Sequence, residues 1–323
     1  MNSEWPGLGS RSAGEQRPWV QRHGFPEWLM ALMWIVIAFF VFQTVGPLVF
    51  LALLFASRNV SIETLDINAL IQGHIDLLFW GNSSGQILVI LLGTLWILRL
   101  HSNPKERSQY IRWIKEPRSQ IINYSLLAGL LIILLQPTIW FLGWVNSLLP
   151  FPESYLQMEQ AQIKVLQDYL AGNQWLGMTL LHVALVPAIC EEVLFRGYVL
   201  RAVERSGTIG MGILVSGLLF GFFHLRLTQV IPLSVIGIIL AVITWKSRSL
   251  IPAMVAHLIN NAGGILLIAF FPDSSFMEVN PESAPPIWLL VISVGSGVGL
   301  FWYIYHLSSL DKAASSTDVA EAS

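Results

Sequence analysis

Eight apolar stretches divide this 323-residue chain, at roughly 27–56, 86–101, 119–148, 175–195, 208–225, 229–246, 250–272 and 286–307. Each is near or above the ~20 residues that an α-helix needs to cross the core of a bilayer. The pattern predicts an all-α fold, a polytopic integral membrane helical bundle of about eight transmembrane helices. Charged residues make up 12% of the chain, about half the share of an ordinary soluble domain. A net charge of −2 and a single cysteine, Cys190, argue against a nucleic-acid partner and against disulfide frameworks or Cys-rich zinc modules. The run at 86–101 is short, and residues 57–85 read as mixed, with an interfacial piece at Leu77, Leu78, Phe79 and Trp80. Residues 153–170 read as a polar amphipathic helix outside the core. The expected organisation is one transmembrane domain over 26–308, between disordered cytoplasmic tails at 1–25 and 309–323.

Charge sets the expected orientation. With the N-terminus inside and the spans alternating, 15 of the 18 basic residues fall on the inner side, and only Arg58, Lys164 and Arg226 on the outer. Cytoplasmic loops carry the excess of Lys and Arg, so both termini are expected in the cytoplasm. The cytoplasmic membrane is the default location.

An ionisable group within a span costs about 2.5–3.5 kcal/mol on insertion scales, so each one needs a reason. The set is small: His182, Glu191, Glu192 and Arg196 on the fourth stretch, His224 at the end of the fifth, and His257 with Asn260 and Asn261 on the seventh. Glu192 and Arg196 are i,i+4 and can pair on one helix face. Glu191 points about 100° away and is free to face a cavity. Pro187, one turn earlier, should kink the helix. Gly217 and Gly221 form a small-xxx-small pair before His224, which lets a neighbouring helix approach closely. His257 and Asn261 also share a face. Taken singly, each group has a plainer reading: a charge cluster anchoring a helix end, an interfacial histidine, or interhelical hydrogen bonding. His182 has no partner by spacing and reads as structural.

Height along the helices brings the groups together. Glu191 lies 14 residues before Arg205 and His224 lies 16 residues after Thr208, roughly 21 and 24 Å of helix from a shared turn. His257 and Asn261 bracket a slightly lower level. This reading places the site within the bundle, on its cytoplasmic half.

Glu191-Glu192-x-x-x-Arg196, Phe220-x-x-x-His224 and His257-x-x-x-Asn261 resemble, in order, the three signature motifs of the CPBP family of CAAX-protease and bacteriocin-processing intramembrane endopeptidases, also called Abi. The likeness covers about 180–265, within an expected catalytic core of about 175–272, and the first three spans and the last carry no motif. The resemblance implies hydrolysis of peptide bonds in membrane-associated or lipidated proteins or peptides. The catalytic set would be Glu191 as general base, His224 holding the water, and His257 and Asn261 donating to the oxyanion, with Glu192 and Arg196 orienting Glu191. A carboxylate in apolar surroundings suits that proton transfer. No cofactor is required on this reading; a zinc ion held by Glu191, His224 and His257 is the alternative, although the His-Glu-x-x-His pattern of zinc proteases is absent. The expected partners are a peptide or protein substrate at the membrane and the lipid bilayer. The other readings of the chain are a catalytically idle scaffold of the same fold and a proton-coupled transporter.

Overall fold

The computed structural model describes residues 19–57, 73–102, 107, 110–111, 117–171, 176–271 and 283–321. Among them there is no strand. After the single turn α1 (Trp19–Arg22) come α2 (Glu27–Ser57) and α3 (Ile75–His101). Next are α4 (Arg118–Leu134), α5 (Gln136–Ser147), α6 (Glu153–Ala171) and α7 (Leu176–Ser206). The chain closes with α8 (Ile209–Phe223), α9 (Val230–Ser247), α10 (Ile251–Phe270) and α11 (Ile287–Glu321). Six helices are long and apolar enough to span a bilayer, and α4 with α5 makes a seventh, bent by 48°. The shorter apolar helix α8 completes the expected eight. The chain is an all-α polytopic integral membrane protein.

The bend between α4 and α5 falls at Leu135, two residues before Pro137. Proline has no N–H to donate, and its ring clashes with the preceding turn. The Gln136 amide donates to the Ile132 carbonyl (3.1 Å) there.

Pro187 does not break its helix. Helix α7 runs through it unbroken, with wider π-type turns at Leu180–Leu185 and Val193–Val199 on either side. A π-bulge gives the proline ring room within a continuous helix, and such bulges recur at functional sites.

The second span differs from its expected extent. It begins at Ile75, so Leu77–Trp80 belong to it rather than to a separate interfacial piece. The small and polar run Gly81-Asn82-Ser83-Ser84-Gly85 masks its start in the sequence. Ser83 and Gly85 are buried, and the Ser83 hydroxyl pairs with His182 Nδ1 at 2.7 Å. At the C-terminus α11 continues through 309–321, a stretch expected as a disordered tail; Ala313, Ala314 and Ala320 favour helix there. Residues 1–18 of the other expected tail lie outside the described residues.

Two large apolar clusters form most of the core, with a small third at Val193, Leu250 and Met254. One joins α2, α3, α7 and α8 around Ile90, Leu98, Phe195 and Tyr198. The other joins α4, α9, α10 and α11 around Leu131, Leu240 and Ile304. Outward-facing side chains such as Phe40, Leu126, Ile287 and Val298 are exposed, as a lipid-facing surface requires.

Between the halves, α8 and α9 cross backbone to backbone. A Cβ on Gly237 would come within 2.6 Å of the Gly217 carbonyl, and one on Gly221 within 2.9 Å of the Ser234 nitrogen. This is the close approach expected from the glycine pair.

The bundle has two distinct ends. At one, Arg205 Nε pairs with Glu27 Oε2 at 3.0 Å, Arg118 and Ile251 line one surface depression, and Lys246 lies 3.6 Å from the Tyr305 ring centroid. At the other, Asn146 at the foot of α5 donates to the Leu227 carbonyl (2.9 Å) and accepts from the Ile231 amide (2.9 Å). Helix α6 docks at this second end, its Tyr155 hydroxyl 2.6 Å from the Leu225 carbonyl.

Candidate functional site

Glu191 sits midway along α7, buried at 8% exposure. Its Oε2 lies 3.6 Å from His224 Nε2 and 4.0 Å from His257 Nε2. Three helices thus bring one carboxylate and two imidazoles to a common point. His224 caps the C-terminal end of α8. Its Nδ1 lies 2.8 Å from the Phe220 carbonyl, which only accepts, so Nδ1 donates. That leaves Nε2 of the neutral ring as a lone pair facing Glu191. His257 likewise gives Nδ1 to Glu192 Oε1 at 2.9 Å and turns Nε2 inward. Phe220 lies against both rings, at centroid distances of 4.8 and 5.4 Å.

The adjacent carboxylates are differently placed, as their 100° separation predicts. Glu192 is sealed in the bundle. Its Oε1 also takes Arg196 Nη1 at 2.9 Å, both side chains having 0% exposure. Arg196 Nη2 donates to the Gly237 carbonyl at 2.8 Å, and its guanidinium lies 4.5 Å from the Phe220 ring centroid. The glycine crossing of α8 and α9 therefore presents a carbonyl to the buried cation. Oε2 of both carboxylates makes no hydrogen bond within the protein, but of the two only Glu191 lines a cavity, of about 450 Å³.

That cavity is lined by Glu191, His224, Asn260 and Asn261 together with Gln136, Trp140, Arg226 and apolar side chains of α5, α6 and α9. Asn261 Nδ2 lies 3.3 Å from the Val183 carbonyl. Asn260 donates to Asn261 (3.3 Å) and accepts from Gln136 (3.2 Å). His257 is 2% exposed and stands behind Glu191. His182 packs as structural, edge-on to Trp80 at 4.5 Å and bonded to Ser83.

The polar set is wider than spans four, five and seven. Gln136 and Asn146 on α5 and Ser293 on α11 belong to it, the last bonded to Thr138 at 2.7 Å. Being uncharged, these residues escape a search for ionisable groups. A polar residue beside a proline within an apolar run is the signal that marks Gln136.

Helix α6 contributes more than its amphipathic pattern suggests. Ile163 and Leu166 line the cavity. Glu159, 1% exposed, accepts from Thr228 and from Tyr155. The Tyr155 oxygen also takes the Leu227 amide at 2.7 Å. These bonds hold the turn after His224, in which Leu225 adopts a left-handed conformation (φ 51°). Burial lifts the Tyr155 hydroxyl above its ordinary pKa, with Glu159 adding and the Leu227 amide opposing. Burial lowers Arg226 in the same turn, with Glu159 opposing.

Ligands about 2.0–2.1 Å from a tetrahedral zinc ion stand about 3.4 Å apart. The 3.6 Å separation of Glu191 and His224 approaches this; the 4.0 Å to His257 exceeds it. Among the described residues no group of three or more His, Cys, Asp or Glu side chains has metal-binding geometry. In this arrangement the three candidates do not form a closed metal site.

Fold and site together define a polytopic membrane protein with a carboxylate–imidazole cluster buried in its helical bundle. Residues 173–263 match the family model of type II CAAX prenyl endopeptidases, Rce1-like, a domain of the CPBP family. The match spans Glu191, Glu192, Arg196, His224, His257 and Asn261, and supports intramembrane endopeptidase activity in general terms. No curated protein and no solved structure matches the chain.

Proposed function

We propose that this protein is an intramembrane endopeptidase that hydrolyses peptide bonds of membrane-associated or lipidated substrates with a glutamate-activated water. The observation that carries this reading is the convergence of Glu191 Oε2 with His224 Nε2 across 3.6 Å on the wall of a cavity. A water about 2.8 Å from both atoms fits that pair as a bridge. Glu191 takes a proton from the water as its oxygen attacks the scissile carbonyl, and later gives it to the leaving amine. His224, with a lone pair at Nε2, orients the water. Asn261 Nδ2, which has a second hydrogen beyond the one directed at Val183, donates to the oxyanion; His257, whose Nδ1 is given to Glu192, joins it as an Nε2 donor in the imidazolium form. Glu192 and Arg196 touch no reacting atom; they fix His257 and the register of α7.

The test is cleavage of a library of lipidated and transmembrane peptides by purified wild type and Glu191→Gln in detergent. Cleavage by the wild type alone, with both proteins equally folded, is expected. Equal silence from the two folded proteins would favour an idle scaffold of the same fold.

A further inference from the structure

The charge partition and the helix directions fix which face of the membrane the cavity meets. The cavity lies wholly toward one end of the bundle. Its lining comes from α5, from the N-terminal half of α7 (Val183, Pro187, Glu191), from the turn at Arg226–Gln229, from the start of α9 and from the C-terminal half of α10 (Gly264, Leu267). Helix α6 closes the same end. The turn at Ser206–Thr208 and the Arg248 turn belong to the opposite end, which the Arg205–Glu27 and Lys246–Tyr305 contacts hold together.

Arg196, buried beside Glu192, is no loop charge and leaves the partition. Among the described residues seven basic ones, Arg22, Arg99, Arg107, Arg118, Arg205, Lys246 and Arg248, then belong to the Arg205 end, against Lys164 and Arg226 at the cavity end. Lys and Arg concentrate in cytoplasmic loops. A site on the cytoplasmic half, expected from height alone, therefore does not follow: Glu191 is mid-span, and the space before it extends away from the basic end.

We infer that the cavity opens toward the non-cytoplasmic face, and that the peptide bond it takes belongs to a membrane-anchored chain presented from that face. The substrate half of this inference rests on the endopeptidase reading; the choice of face does not. The chemistry of the lining, with Ile139, Trp140, Ile163, Leu166 and Leu233 around a few polar groups, suits an apolar segment near the bilayer interface. A lipidated tail confined to the cytoplasmic leaflet would have no path to it.

Single cysteines test the face. Gln157 on α6 and Ser206 at the other end are exposed, and the native Cys190 is buried. Gln157→Cys and Ser206→Cys, with Gln160→Cys and Gly210→Cys as second positions, are produced in bacterial cells and treated with a membrane-impermeant maleimide. Sites are scored once they label in detergent. The expected result is labelling at 157 and 160 in intact cells, and at 206 and 210 only after permeabilisation. The reverse pattern, or equal labelling at both ends, overturns the inference. No activity is needed for this readout, so an inactive chain labelled as expected sinks only the endopeptidase reading. In sealed vesicles, an acyl-anchored fluorogenic peptide added from outside should be cleaved by right-side-out preparations. Cleavage confined to inside-out preparations overturns the substrate assignment.

Discussion

His257 Nδ1 lies 2.9 Å from Glu192 Oε1, the oxygen that also accepts from Arg196 Nη1 at 2.9 Å. The two neighbouring carboxylates of α7 therefore do unlike things. Glu192 is consumed by a buried cation and a ring nitrogen, while Glu191 keeps an oxygen for the cavity. A stability measurement separates them. Removing one partner of a buried ion pair strands the other and costs about 3–5 kcal/mol. Glu192→Ala and Arg196→Ala should each lose stability of that order, read as a clearly lowered thermal midpoint in detergent. Glu191→Gln, which strands no partner, should leave the midpoint near wild type while abolishing cleavage. The double replacement Glu192→Leu with Arg196→Met should recover part of the lost stability, since it removes both charges together.

The crossing of α8 and α9 gives a second prediction. Gly237→Ala puts a methyl group 2.6 Å from the Gly217 carbonyl, against backbone that cannot swing aside. Overpacking of this kind typically costs 1–3 kcal/mol. Displacing Gly237 also moves the carbonyl that receives Arg196 Nη2. Thermal unfolding should show the loss, and Gly263→Ala on α10, whose Cβ meets nothing within 4 Å, should be near neutral. Equal effects at the two positions would count against close packing as the cause.

The motif spans were legible because apolar runs and i,i+4 spacings are local. Glu192–Arg196 and the cavity-facing Glu191 followed from 3.6 residues per turn alone. The near-equal heights of Glu191 and His224 followed from counting rises from one turn, and they meet at 3.6 Å. What the sequence did not disclose is long-range or compensatory. Pro187 carries no sign of the π turns that flank it. Gly237 carries no sign that its carbonyl receives Arg196, which is 41 residues away. Glu159 looks like one more charge on a polar helix face until Thr228 is placed against it. Height alone could not say on which side of Glu191 the cavity lies, because that depends on how α5, α6 and α10 pack.

The clamp from α6 yields a third prediction. Tyr155 and Glu159 hold the turn that follows His224, so they position the imidazole without touching the cavity's reacting point. Misplacement of a catalytic group by about 1 Å can cost 10²-fold in rate. On the endopeptidase reading, Tyr155→Phe should lower kcat by about tenfold, with KM changed far less. Thr228→Val should act in the same direction, because it leaves Glu159 without that donor. Thermal midpoints near wild type for both would place the effect on His224 rather than on folding; an unchanged kcat would show that the turn holds His224 without the clamp.

Metal dependence can be predicted from the donor spacing. A tetrahedral zinc would need His257 Nε2 about 0.6 Å closer to Glu191 Oε2 than its 4.0 Å, and His257 is tethered on its other side by the Glu192–Arg196 pair. Drawing the ring inward would lengthen its 2.9 Å bond to Glu192, between side chains only 2% and 0% exposed. Cleavage should therefore survive prolonged dialysis against a chelator, and added zinc should not raise it. Metal analysis of the dialysed protein must accompany the assay, so that retained activity is assigned to metal-free chains. Loss of activity on dialysis, restored by zinc and accompanied by one bound metal per chain, would mean that α7, α8 and α10 close further than the 4.0 Å separation indicates.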